Sequence, residues 1–207
     1  MIRLRIINDI HLFGVNPHMT ADEMLTAIHS SPYPVFLNGD IVDMANAKYK
    51  DLPNALILLT LLAKQFNFIL GNHDLNMASA PNFRLIDNGL SKILIIHSDV
   101  EQWGIEKSAK FRSQTPGAGW FKRNVISKTI DSLRHLLAVR PNDRLIAAIR
   151  KWKQDYPEIT TVICSHSHPP DSVFFKVDDD IYSVITMRGV NDMEIRLDGS
   201  IYQIGHS

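Results

Sequence analysis

The 207-residue chain is short of several things, and each shortage removes a class of protein. It has one cysteine, Cys164, so no disulfide can form within the chain and a reducing setting, the cytoplasm, is expected. Lys and Arg number 22, as do Asp and Glu, so the formal net charge is +0 and nothing draws the whole chain toward nucleic acid or an anionic membrane. No apolar run can span a bilayer; the most apolar stretch, Ala55 to Ala63, is about half the required length. The opening Met1-Ile2-Arg3-Leu4-Arg5-Ile6-Ile7 lacks the long apolar core and small-residue cleavage site of a secretory leader. There is no internal repeat and no low-complexity tract. One domain is expected over 1–207, long enough to bury a real core.

What the chain does have is nine histidines, several of them in tight pairs with aspartate. Branched residues over Arg3 to Ile7 predict a strand ending at Asn8, followed at once by Asp9 and His11. Thr20-Ala21-Asp22-Glu23 has the form of a capping box and opens a helix to about Ser30. Val35-Phe36-Leu37 is a short strand that delivers Gly39-Asp40-Ile41-Val42-Asp43. Pro53 suits the first turn of a second helix, to about Lys64. That helix is apolar almost all round, so covers are expected on both sides, the sheet on one and a partner subunit (a homodimer) on the other.

Phe66 to Leu70 is the next strand, and Gly71-Asn72-His73-Asp74 forms the turn at its tip. Lys92 to Ile96 is a strand that ends at His97, and Thr160 to Cys164 is one that ends at Ser165-His166-Ser167-His168. Between them, from 99 to about 160, lies an insert read as a small helical cap, with helical patterns at about 124–139 and 141–156. The insert holds 12 basic and 7 acidic residues, a balance of +5, and the remainder stands at −5. A basic, aromatic-bearing cap suits an anionic substrate, although most such charges simply face water. After Pro170, strand patterns at 173–177, 181–187, 193–197 and 201–204 with Asp-rich turns suggest hairpins.

Each polar group directly follows a predicted buried strand, so strands lying side by side would bring the tips into one crevice, where open α/β sheets bind ligands. Taken singly, a His at a strand end is usually a hydrogen-bonded polar residue, and Gly-Asp-x-x-Asp can be a turn with a helix cap. Five such groups in one order are a different matter. Oxygen and imidazole donors without thiolate favour Mn, Fe, Zn, Co or Ni. Two such ions about 4 Å apart can hold a hydroxide and clamp both oxygens of a phosphoryl transfer.

The blocks Asp9-x-His11, Gly39-Asp40-x-x-Asp43, Gly71-Asn72-His73-Asp74, His97 and His166-x-His168 resemble those of the calcineurin-like metallophosphoesterases. The resemblance runs from residue 3 to about 170. It implies a four-layer α/β/β/α sandwich with the C-terminal hairpins joining the second sheet. It implies one ion on Asp9, His11, Asp40 and His168, and another on Asp40, Asn72, His97 and His166, with Mn²⁺ the first expectation. By the same resemblance His73 is the general acid or phosphate contact, Asp74 orients it, and Asp43 braces a neighbouring loop or histidine. Ser98 and Ser165 stand where glycine is common in the family. Met44-Ala45 replaces the Arg-Gly of its Ser/Thr protein phosphatases, which counts against a phosphoprotein substrate.

The reading is therefore a metal-dependent hydrolase of a phosphodiester or pyrophosphate in a small, nucleotide-like substrate. The cap's placement is similar to that of UDP-2,3-diacylglucosamine pyrophosphohydrolases, which usually carry Arg in place of His73. A nuclease is the other catalytic alternative, disfavoured by the neutral charge. A non-catalytic scaffold on the same fold is the third.

Overall fold

Alternate residues of a strand face opposite sides of its sheet, and here both sides are apolar. In β1 (Ile2–Asn8) Leu4 and Ile6 point one way and Ile7 the other. Phe36 and Leu37 divide likewise in β2 (Val35–Asn38), as do Ile69 and Phe68 in β3 (Asn67–Ile69). The computed structural model describes residues 1–77, 80–118 and 141–204. Among these, β4 (Phe83–Asp87), β5 (Lys92–Ile96), β6 (Ile159–Cys164), β7 (Val173–Val177) and β8 (Ile181–Ile185) form a second sheet. Its order is β4-β5-β6-β8-β7, with the three central strands parallel and both edges antiparallel.

The first sheet has the order β10-β9-β1-β2-β3, where β9 is Gly189–Ile195 and β10 is Ile201–Gln203. Strands β1, β2 and β3 are parallel, and β9 runs antiparallel to β1 along its whole length. The two sheets pack face to face through Leu4, Ile6 and Ile69 on one side and Ile93, Ile95 and Ile163 on the other.

Helices cover the outer faces. The first sheet's outer residues Ile7, Leu37 and Phe68 meet Met24 and Ile28 of α1 (Ala21–His29) and Leu59 and Leu62 of α2 (Leu52–Gln65). The second sheet's Leu94, Val162 and Cys164 meet Leu145 and Ile149 of α5 (Asp143–Asp155). This is the expected four-layer sandwich. Two further helices, α3 (Asp99–Trp103) and α4 (Ile105–Arg112), precede α5. Thr20 caps α1 through the expected box, with its side chain accepting from the Glu23 N–H at 3.2 Å and Glu23 accepting from the Thr20 N–H at 2.7 Å. Such a cap is worth about 1 kcal/mol.

Several expectations change. Only the β7–β8 hairpin joins the second sheet; β9 and β10 cross to the first, because the edge of β1 needs a partner and Met193 and Ile195 complete the same inter-sheet core. Strand β4 was not expected, yet Phe83 to Asp87 alternates and Asn88-Gly89 makes its turn, with Gly89 at φ +84°. Of the two helical patterns in the insert, 141–156 becomes α5 on the second sheet, and 124–139 lies outside the described residues. Helix α2 is covered on one side; Ile57 and Leu61 on its outer side stay 58% and 46% exposed, so no described part of this chain supplies a second cover. No described helix is long and apolar enough to cross a membrane.

Candidate metal centre

Parallel pairing aligns the carboxyl ends of β1, β2 and β3, and the facing sheet does the same for β5 and β6. The polar tips therefore meet at one end of the sandwich. Asp9, His11, Asp40 and His168 each offer a donor atom within 4.8 Å of one another, and so do Asp40, His97 and His166. These are the two ligand sets implied by the family resemblance, short of Asn72. Asn72 Oδ1 lies beside the second, 3.3 Å from His97 Nε2. Asp40 Oδ2 lies between the sets, 3.3 Å from His97 Nε2 and 4.0 Å from His11 Nε2.

The backbone around this centre is held in uncommon shapes. Asp9, His11, Asp40, His166 and His168 all adopt positive φ, between +48° and +79°. Such conformations cost about 1–3 kcal/mol each for residues with a side chain, and persist only where the surroundings over-determine them. Glycines supply the close approaches. A methyl on Gly71 would strike the backbone nitrogen and carboxylate of Asp40, and one on Gly39 would strike the His97 ring. Gly71→Ala is therefore expected to destabilise the fold by about 1–3 kcal/mol through overpacking. It should also bind fewer than two ions per chain, as read by melting temperature and elemental analysis together.

Electrostatics prepare the donors. Burial strips the proton from His11, helped by nearby His73, and holds its pKa down at about 4; burial and His97 hold His166 at about 3. Both rings therefore present lone pairs at neutral pH. Burial also opposes a charge on His97, but Asp40 outweighs it and pushes the ring up to about 10. A cation entering there would take the place of that proton. Asp40 itself is held well below the usual carboxylate range, with burial overcome by His97 and His73. Asp9 is lowered too, against burial, chiefly by His168, whose Nε2 lies 2.9 Å from Asp9 Oδ1.

The donor set suits a divalent ion. It contains no thiolate, and its imidazoles and carboxylates match Mn, Fe, Zn, Co or Ni. His11 Nδ1 and His166 Nδ1 are buried with no hydrogen-bond partner among the described residues. Buried polar atoms are rarely left so.

His73 is in neither of these sets, although with His11 and Asp43 it forms a third group of donors within 4.8 Å of one another. Its Nδ1 is 2.7 Å from Asp43 Oδ1, and Asn46 Nδ2 donates to both oxygens of that carboxylate at 2.8 and 2.9 Å. Asp43 thus contacts His73, the histidine assigned to Asp74. Asp74 turns back instead. Its carboxylate accepts the backbone N–H groups of Asp40 (2.8 Å), Val42 (2.9 Å) and Gly71 (2.9 Å), binding two strand tips together. Burial and the Asp40 charge push it up to about 7, against the pull of those N–H donors.

Two asparagines were not singled out from the sequence. Asn8 donates to Asp9 Oδ2, and Asn46 steadies Asp43. Trp103 meets His166 edge-on with ring centroids 4.4 Å apart, and Phe111 lies 5.0 Å from His73. They form an aromatic wall along one side. Two more aromatics of the insert, Trp120 and Phe121, lie outside the described residues. Asn46, three residues after Asp43, was the one with a local sign, since short polar side chains often bond over that spacing.

The family model of the calcineurin-like phosphoesterases matches residues 2–170. No curated protein matches the chain. Among solved structures, a predicted phosphoesterase from Streptococcus pneumoniae TIGR4 is 17% identical, covering 94% of this chain and 83% of its own, with a TM-score of 0.44. Vps29 from Chaetomium thermophilum is 9% identical over 99% of this chain and 96% of its own, at 0.48. A 5'-nucleotidase from Candida albicans SC5314 is 12% identical, covering 96% of this chain but 48% of its own, at 0.51. At such identities the likeness is one of fold.

Proposed function

Since this chain belongs to the calcineurin-like phosphoesterase family, we propose that it hydrolyses a phosphodiester or pyrophosphate bond in a small nucleotide-like substrate with two divalent ions. One observation carries the reading: two largely buried donor sets share the Asp40 carboxylate. Asp9, His11, Asp40 and His168 hold one ion; Asp40, Asn72, His97 and His166 hold the other, with Mn²⁺ preferred. When bound, such a pair supplies the charge that stabilises a phosphoryl group in transfer and activates a water nucleophile.

The chain's own residues supply the rest. A carboxylate only accepts, so the Asp43 contact puts a hydrogen on His73 Nδ1. The ring acts as general acid in its imidazolium form, in which Nε2 carries the second proton and passes it to the leaving oxygen, leaving the neutral Nδ1–H tautomer. Asn46 keeps Asp43 turned toward that ring. Asp74 keeps the tips of β2 and β3 at a fixed spacing, so His73 and Asp40 move as one body. The Trp103–Phe111 wall gives the non-reacting part of the substrate an apolar surface beside His166 and His73.

Mn²⁺-loaded protein assayed against bis-p-nitrophenyl phosphate, p-nitrophenyl phosphate, UDP-sugars and single-stranded DNA tests this. Cleavage of the bis-ester but not the mono-ester is expected. Preference for UDP-sugars would move the assignment to a UDP-2,3-diacylglucosamine pyrophosphohydrolase-like enzyme, and cleavage of DNA to a nuclease. Inertness on all four with two ions bound would leave a scaffold.

A further inference from the structure

Three ligand histidines, His97, His166 and His168, come from two loops of the second sheet, and one glutamine touches both loops. Gln102 of α3 donates through Nε2 to Ser98 Oγ at 2.8 Å, next to His97. Its Oε1 accepts the Ser167 hydroxyl at 2.6 Å, between His166 and His168. Ser98 in turn donates to the Ser165 carbonyl at 2.8 Å. The Ser165 hydroxyl donates to the Asn38 carbonyl at 2.8 Å and lies 2.9 Å from His97 Nδ1. An unbroken chain of hydrogen bonds thus joins the tips of β2, β5 and β6.

We propose that Gln102, with Ser98, Ser165 and Ser167, is a latch that positions His97, His166 and His168 for the two ions, an inference that rests on the metal-binding reading above. Backbone geometry supports it. Ser98 stands at φ +72°, where glycine fits without cost and serine costs about 1–3 kcal/mol. Ser98 is 2% exposed and spends its hydroxyl on the latch, donating to one loop and accepting from Gln102. Ser165 works the same way on the other loop. It fixes His97 with Nδ1 toward Ser165 and Asn38, which turns Nε2 toward Asp40 and Asn72. Orientation by a group behind the ligand is what sets a histidine's tautomer and basicity toward a metal.

The test compares the full-length protein with Gln102→Met, Ser167→Ala and the double variant, measuring Mn²⁺ binding isotherms, melting of the metal-free protein and the visible spectrum with Co²⁺. Gln102→Met should weaken binding at both sites about 10–100-fold and alter the Co²⁺ spectrum, while metal-free melting falls only modestly, as the lost bonds to Ser98 and Ser167 require. Since both single changes break the same bond, the double variant should bind no more weakly than Gln102→Met. Losses that simply add, or affinities within twofold of the parent, would overturn the latch while leaving two ions bound. A parent protein that binds no ion would overturn the latch and the metal reading together. Should Gln102→Met not fold, Ser167→Ala decides alone, because it removes one hydroxyl from a partly exposed loop.

Discussion

Asp40→Ala should bind neither ion. Asp40 is the one residue common to both donor sets, and its Oδ2 faces His97 Nε2 at 3.3 Å and His11 Nε2 at 4.0 Å. Removing it takes a ligand from each site, which should weaken binding by more than the about 10–100-fold typical of losing a group behind a ligand. Hydrolysis should fall to background with it. The change leaves the His73 backbone N–H, which Asp40 Oδ1 accepts at 2.6 Å, without that partner, but it also relieves the pressure of Asp40 on Asp74. That carboxyl is raised first by burial and next by the Asp40 charge, and without Asp40 it settles more easily among its three N–H donors. Metal-free Asp40→Ala is therefore expected to keep its fold, as checked by circular dichroism. Elemental analysis reads the ions. Two retained per chain would remove the shared carboxylate from the mechanism.

His73→Ala should do the opposite, with both ions kept and turnover reduced about 10²–10⁴-fold, the usual contribution of a positioned proton donor. The ring touches the centre from outside, held by Asp43 at 2.7 Å and backed by Phe111. Truncation leaves Asp43 buried with Asn46 still donating to it, so stability should fall modestly and the ligand sets should survive. Single-turnover rates at saturating Mn²⁺, read beside metal content, separate the outcomes. Equal loss of metal in His73→Ala and Asp40→Ala would sink the division of labour between them.

Much of this centre can be read in the chain because each donor group follows directly on a branched, apolar run. A run such as Ile93-Leu94-Ile95-Ile96 can only be buried, so the histidine that follows has to stand at the sheet's end. Pairing between distant strands has no such local sign. Met193 and Ile195 read as a buried strand in either sheet, and only the open edge of β1 decides where they go. Neighbourhood in sequence also misleads at Asp74. In the tight turn after Gly71, consecutive side chains diverge. Asp74 folds back on N–H groups that would otherwise be buried and unpaired, while His73 meets a carboxylate thirty residues upstream. The latch was hidden for a similar reason. Ser98 and Ser165 register in sequence only as small residues, and their hydroxyls gain meaning once α3 brings Gln102 between them.

Every donor residue lies at or before His168, yet β1 reaches its final state only with residues far beyond. It pairs along its length with β9, from Ile2 opposite Ile195 to Asn8 opposite Gly189, and Asn191 and Thr186 bond the Asn8 amide that steadies Asp9. At synthesis rates of about 5–20 residues per second, β1 would emerge from the ribosome roughly 10–40 s before that partner. Through this interval one side of the strand is a bare edge, open to pairing with other nascent chains. A version of the protein cut shortly after His168 would carry the whole ligand inventory and be expected to aggregate rather than bind manganese.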